Sequence, residues 1–504
     1  NPQEWSRNDW CRVSVDGGSA KVRRITQFVT MGASSVFGVH NSNVENSKRA
    51  VMERVFMVKS PTGFVRPPRP NPGHFKNRLS KFRRRLIAGT SPTAPDTEEQ
   101  FLSYYQGRKR ANYERAIESL KVSEVERKDS FLSSFVKAEK INFTAKGDPA
   151  PRLIQPRSPR YNVRVGQYIK PIEHRLYKVI DRTFGAHVVA KGKNALARGS
   201  MLREAWDSLL DPVAVFLDAS RFDQHISRQA LEWEHSIYLA CYQGDAVLQR
   251  LLSWQLVNRG FIYTADGSVK YSVEGCRASG DMNTSLGNVL IMCGLMYQFL
   301  SEWGGPGARL VNDGADCVVL VERRMLHTVM EMARPWFLTF GFTMKVEGFT
   351  DVFERIEFCG SQPVHTGDHW VMVRNPHITL DKDLISVKPI NDQPTWARQS
   401  TAIAQCGLAL AGNIPIYGAY YSMLDQRVKV DRALETGMDY LARGMEGERR
   451  HPTPLSRVSF FMAFDITPDE QVALEEFYDT ITPHYLTCGA PRDTIIKETH
   501  NALY

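Results

Sequence analysis

The reading of this chain turns on one stretch: Leu310-Val311-Asn312-Asp313-Gly314-Ala315-Asp316-Cys317-Val318-Val319-Leu320. Two short β-type runs, Ala308 to Asn312 and Cys317 to Val321, meet across Asp313-Gly314-Ala315-Asp316. A glycine in so short a connection predicts a hairpin with an acidic tip. Upstream, Ala214-Val215-Phe216-Leu217 is an apolar run ending in Asp218, the pattern of a buried strand that delivers a carboxylate at its end. Asp223 follows five residues later. Asn283-Thr284 opens a helical pattern through Leu290, Met296 and Phe299 to Trp303. Ahead of it, Gly280 permits close backbone approach, and the first turns of the helix place the Thr284 hydroxyl and the Asn288 amide on one side. Downstream, Arg324 to Phe340 has helical spacing, and Phe342 to Val346 reads as a strand. Glu357 to Val373 reads as a hairpin turning at Thr366-Gly367-Asp368. Strand, helix, hairpin, helix and strand in one region predict an α+β fold with a small sheet.

Away from this region the pattern is coarser. Val44 to Val58 looks like an amphipathic helix, and Pro61 to Pro72 like an extended, proline-rich linker. A basic run follows: Lys76, Arg78, Lys81, Arg83, Arg84 and Arg85. It reads either as a solvated helix face or as a surface that tracks nucleic acid. Glu98 to Val136 reads as helical, as do most of the last 120 residues.

The composition narrows the classes. With 504 residues, 42% hydrophobic and 24% charged, the chain is globular, and a disordered or collagen-like protein is excluded. Lys and Arg outnumber Asp and Glu by 64 to 55, a net +9 that favours an anionic partner, nucleic acid first. Eight cysteines without a Cys-x-x-Cys pair describe neither a disulfide framework nor a zinc ribbon. Cys359, His365 and His369 fit no common zinc spacing and read as strand and turn residues. Val289 to Leu300 is shorter than the roughly 20 residues that span a bilayer. Glu4, Arg7 and Asp9 argue against a signal peptide. A start at Asn1-Pro2 without methionine leads us to expect a piece of a longer product.

Taken in order and spacing, three segments resemble motifs A, B and C of the palm of viral RNA-dependent RNA polymerases. They are Asp218 to Asp223, Ser279 to Asn288, and Gly314-Ala315-Asp316. Phe135-Val136-Lys137-Ala138-Glu139-Lys140 and Pro151-Arg152-Leu153-Ile154-Gln155-Pro156-Arg157-Ser158-Pro159 are similar to motif F of the fingers. Specifically, they resemble the version in positive-strand plant viruses of the tombusvirus family. Phe37 to Asn41 and Gly166 to His174 continue the match. Glu357 to Val364 resembles motif E, and Lys345 resembles the motif D lysine. The resemblance implies a right hand. Residues 1–182 would be N-terminal extension and fingers, 183–226 palm with motif A, and 227–276 a fingers insertion. Palm motifs B to E would fill 277–368, and 369–504 would be the thumb, assigned by position.

The chemistry explains the residue types. A hydroxyl attacking an α-phosphate is assisted by two divalent cations, Mg2+ or Mn2+, and hard cations need convergent carboxylates. The resemblance implies Asp218 and Asp316 as metal ligands. It requires a further aspartate where Ala315 stands, so this chain is expected to be catalytically impaired. An engineered inactivating substitution is the plain explanation; a natural defective copy, or rescue by Asp313, is the alternative. Asp223, Ser279, Thr284 and Asn288 are implied in reading the ribose, with an ordinary helix cap as the alternative for Thr284. Lys140 and Arg152 are implied in the nucleotide channel. Arg157 and Lys137 are placed beside them, or else pair with nearby acids. Lys345 is the implied general acid, or else a surface lysine. Lys76, Arg78, Lys81, Lys137 and Gly280 are expected to meet RNA.

The expected activity is therefore RNA-directed RNA synthesis from NTPs on an RNA template, by a readthrough-type replicase without a primer. The resemblance also implies a viral auxiliary replication protein and host membrane as partners through a missing N-terminal region. That would place a soluble fragment at cytoplasmic, membrane-associated replication complexes, and it leaves polymerase self-association open. Two other readings compete: a catalytically silent RNA-binding scaffold, favoured by Ala315, and a reverse transcriptase, disfavoured by the small acidic Asp223.

Overall fold

The computed structural model describes residues 5–29, 35–430 and 439–485. Residues 431–438 and 486–504, which belong to the expected thumb, lie outside the described residues. The fold is α+β. Its centre is a four-stranded antiparallel sheet in the order Arg309–Asp313, Asp316–Glu322, Pro212–Ala219, Met344–Thr350. Asp316–Glu322 holds Cys, Val and Leu in a near-continuous run because both its faces are covered, whereas the edge strand Met344–Thr350 alternates buried residues with more exposed ones. The helix Thr284–Trp303, apolar all round, lies in the core on one side with the long helix Pro159–Phe184. The helix Ala195–Asp207 and the hairpin Ser361–His365/Trp370–Arg374 lie on the other side, backed by Gln393–Ala411 and Tyr417–Leu424.

A second sheet, Trp10–Val15, Gly267–Glu274, Val257–Thr264 and Leu132–Ser133, joins the start of the chain to the segment after residue 256. The motif F segment is its own small ladder, with Phe135 opposite Ile154 and Val136 opposite Leu153.

Several expectations change. The helix expected over Glu98 to Val136 breaks into Glu98–Leu102 and Gly107–Val122, and strand follows from Leu132. Thr97 caps the first piece with a capping box, and Gly107 at φ 61° opens the second. The Pro61–Pro72 stretch is not wholly extended linker, because Val58–Ser60 and Gly63–Val65 pair as a hairpin. The helix expected over Val44 to Val58 ends in a π-turn at Met52–Phe56. Thr284–Trp303 reaches 20 residues and is long and apolar enough to cross a membrane, yet 72% of that window is buried inside the protein. Here it is a core helix.

Candidate active site

The hairpin forms as its sequence demands. Asp313 pairs with Asp316, leaving Gly314 and Ala315 as the two loop residues, and Gly314 has φ 74°. The buried Asn312 side chain braces this loop: its Nδ2 donates to the Gly314 carbonyl at 2.8 Å, and its Oδ1 accepts from the Gly314 amide at 3.0 Å. The side chain at 315 plays no part in these bonds and is exposed.

Asp218 lies on the adjacent strand. The ladder carries Val215 opposite Val319, and three residues further along each strand stand Asp218 and Asp316, both exposed. Burial of its surroundings pushes the Asp316 carboxyl up, hydrogen bonds from Cys359 hold it down, and the negative charges of Asp313 and Asp218 add to the rise. Two facing carboxylates that repel each other fit a hard divalent cation. No group of three metal-ligating His, Cys, Asp or Glu side chains occurs among the described residues, including Cys359, His365 and His369. Position 315, where the resemblance requires a further aspartate, carries alanine.

Asp313 faces elsewhere. Lys191 and Arg198 each sit 2.8 Å from it, and Cys359 Sγ donates at 3.4 Å. Although burial raises its carboxyl, these cations hold it below the usual range. They commit it to a cavity of about 250 Å3 that Lys193, Tyr440 and Arg443 also line. Sequence reading missed Lys191, Arg198 and Cys359 as neighbours of the hairpin, because no local pattern announces pairs 115 or 46 residues apart.

Past Asp218 the strand ends at Ala219, and Arg221 adopts φ 50° to open the short helix Phe222–His225. That left-handed step turns Asp223 toward the helix Thr284–Trp303. Asn288 Nδ2 donates to Asp223 Oδ1 at 3.0 Å. Ser279 and Thr284 do not join this pair: their hydroxyls donate to the carbonyls of Leu153 at 3.3 Å and Ala278 at 2.9 Å. Asn283, not Thr284, occupies the helix cap position.

Gly280 does allow a close approach, but to the chain itself. A Cβ there would meet Pro156 Cα at 2.8 Å and the Gln155 carbonyl at 2.9 Å. Arg157 departs from the channel-lining expectation. It is buried, ion-paired with Asp281, and bonded to the Ser130 carbonyl and Asn258 Oδ1 at 2.7 Å each. Motif F is thus fastened to the segment that precedes the core helix. Lys140 also has an internal partner, donating to the Lys382 carbonyl at 3.0 Å. Glu139 lies between Lys137, at 3.5 Å, and Arg152, at 3.2 Å, and the Arg152 side chain is 56% exposed. Arg78 pairs with Glu302, while Lys76 and Lys81 are exposed. Lys345 is exposed directly opposite Asp218.

Comparison with known proteins decides the family. A model of viral RNA-dependent RNA polymerases matches residues 11–485. The chain belongs to the viral RNA-dependent RNA polymerase family. It is 43% identical to the RNA-directed RNA polymerase of Tobacco necrosis virus (strain A), over 93% of this chain and 65% of that one. Identity to the RNA-directed RNA polymerases of Turnip crinkle virus and Tomato bushy stunt virus (strain Cherry) is also 43%. Those matches cover 94% and 91% of this chain, and 62% and 56% of the relatives. These relatives are polymerases of the tombusvirus family. The chain therefore spans less than two thirds of their length. A polymerase fold follows from membership of this family, in keeping with the α+β architecture.

Proposed function

We propose that this chain is the polymerase portion of a replicase that copies a positive-strand RNA genome from NTPs. The observation that carries the reading is Asp218 and Asp316 brought side by side at the tips of neighbouring strands, with Lys345 opposite Asp218 and Asn288 hydrogen-bonded to Asp223 at 3.0 Å. In this reading the central sheet belongs to the palm (183–226 and 277–368), residues 1–182 and 227–276 to the fingers, and 369–504 to the thumb.

Asp218 and Asp316 would hold Mg2+ or Mn2+, joined by an aspartate at 315 in an active form. Bound there, such ions would supply activation of the attacking hydroxyl and neutralisation of the leaving pyrophosphate. The chain's own groups do the rest. Arg152, tethered only loosely by Glu139, meets the triphosphate. Lys345 gives a proton to the leaving pyrophosphate. Asp223 and Asn288 bond the ribose 2′-hydroxyl, which a deoxyribose lacks. Exposed Lys76 and Lys81 meet template phosphates. Lys140 joins the channel only if it leaves the Lys382 carbonyl. Template and product RNA are the partners. An auxiliary viral protein and host membranes would be engaged through segments beyond this chain.

Ala315 favours a second reading of the chain as it stands: an RNA-binding member of the family with polymerisation switched off. One experiment separates the two. Labelled nucleotide incorporation on a short RNA template is measured for this chain and for Ala315→Asp. Synthesis by the Asp form alone supports the polymerase reading with an inactivated site, and none by either form leaves the scaffold.

A further inference from the structure

Beneath Asn288 lies an ion pair with no exposed surface, Arg277 with Glu234, 43 residues apart in sequence. It is built in. Glu234 also accepts from Asn283 Nδ2 at 2.8 Å and from the Tyr238 hydroxyl at 2.8 Å. Asn283 is held in turn by Gln255, which also bonds the ring of His235. Residue 287, next to Asn288, has room for no side chain: a Cβ there would lie 2.3 Å from Arg277 Nη2 and 2.5 Å from Glu234 Oε2. Glycine lets the core helix lie directly on the pair.

The remaining guanidinium nitrogen points at the site. Arg277 Nε donates to Asn288 Oδ1 at 3.0 Å, and the Arg277 backbone amide donates to the Asp223 carbonyl at 2.9 Å. A guanidinium only donates, so its partner on the amide must be the oxygen, and the NH2 must turn to Asp223. We infer that Arg277 is a positioning residue for sugar choice: held by Glu234, it locks the Asn288 amide so that Nδ2 faces the Asp223 carboxylate. This rests on the ribose-reading role proposed above for Asp223 and Asn288. Without Arg277 the amide is free to flip. Its oxygen would then face the carboxylate, repel it, and turn Asp223 away from the arrangement that accepts a hydroxyl. Burial already pushes the Asp223 carboxyl up, and the Arg277 charge and the Asn288 bond oppose that.

The test measures kcat/KM for ATP and for 2′-deoxyATP in the Ala315→Asp background. A ratio of these values does not depend on the folded fraction, so a merely destabilising change leaves it in place. Arg277→Lys keeps the charge and loses the fork. It should lower the ratio at least about tenfold, as Asn288→Ala does, and the double variant should be no worse than either single. Should Arg277→Lys fail to fold, Arg277→Met with Glu234→Leu replaces the pair by apolar side chains and should lower the ratio equally. A parallel arm needs no turnover: the Kd ratio for the two nucleotides is read on the present chain by displacement of a fluorescent ATP analogue. An unchanged ratio in the Arg277 variants, with loss in Asn288→Ala and Asp223→Ala, overturns the inference and leaves the sugar-reading role standing. An unchanged ratio in all of them overturns that role itself.

Discussion

Lys345 stands directly across from Asp218, on the antiparallel strand that lies on the other side of Pro212–Ala219 from the hairpin. Both side chains are exposed, so neither is spent on the core. The register slips by one residue between Phe216 and Leu217, and that irregularity aligns Asp218 with Lys345 rather than with its neighbour Val346. A lysine after a helix has no such partner by sequence alone. In an active Ala315→Asp form, Lys345→Met should lower kcat about 10²-fold with little change in KM, since a positioned general acid acts in the transition state. Tm should hardly move. Equal single-turnover rates for the lysine and methionine forms would remove Lys345 from the chemistry.

Ala315→Asp should switch incorporation on by at least about 10³-fold, and Asp218→Ala in that background should switch it off again. The fold should tolerate the change because Asn312, not residue 315, braces the loop. A third carboxylate beside Asp316 and Asp218 adds repulsion that a cation relieves. Mg2+ should therefore raise the Tm of the Asp form more than that of the present chain, which thermal unfolding with and without the ion would reveal.

Two motif F arginines should behave oppositely. Arg152→Ala, at a half-exposed side chain, should raise KM for all four NTPs in the active background and leave stability within about 0.5 kcal/mol. Arg157→Ala strips the partner from buried Asp281 and should cost about 3–5 kcal/mol in urea unfolding. Stability changes of similar size in the two variants would contradict this division.

Asp223→Ala and Asn288→Ala should each lower the preference for NTPs over dNTPs, read as the ratio of kcat/KM values, because a site that bonds a hydroxyl rejects the analogue lacking it. Ser279→Ala and Thr284→Ala should affect that ratio less, since their hydroxyls are on backbone carbonyls. A larger effect of Thr284 than of Asn288 would reverse the assignment.

His225 offers a pH test. Its ring is buried, with Nδ1 donating to the Arg221 carbonyl at 2.9 Å and Nε2 facing the Thr343 hydroxyl at 3.0 Å. Burial lowers its pKa to about 4 from 6.5. The fold keeps the ring neutral while the unfolded chain protonates below pH 6.5, so its contribution is intact above that value and is lost as pH falls toward 4. The loss should approach roughly 3 kcal/mol. Urea unfolding from pH 7 to 4 should show this slope, and His225→Gln should flatten it.

Sequence alone was enough for the α+β class, the acidic hairpin, the strand ending in Asp218 and the core helix, and for the family that their order resembles. These follow from local rules: a two-residue turn needs its glycine, a buried strand its apolar run, and a buried helix apolar residues on every face. The resemblance also singled out Asp223 and Asn288, which the fold joins by a hydrogen bond across 65 residues. It overextended the helix after Glu98, where Gly107 and the turn before Leu132 interrupt a pattern that charge spacing alone made continuous. What each charged side chain faces was decided by tertiary structure. Arg157 and Arg152 lie five residues apart in one motif, yet one is sealed against Asp281 and the other reaches solvent. Asp313 and Asp316 bound the same turn, yet one is neutralised by Lys191 and Arg198 while the other faces Asp218. Glu234 and Arg277 carry no motif at all. Burial and pairing are set by segments that meet only when the chain has folded, and Coulomb and desolvation energies depend on those distances and not on position in the sequence.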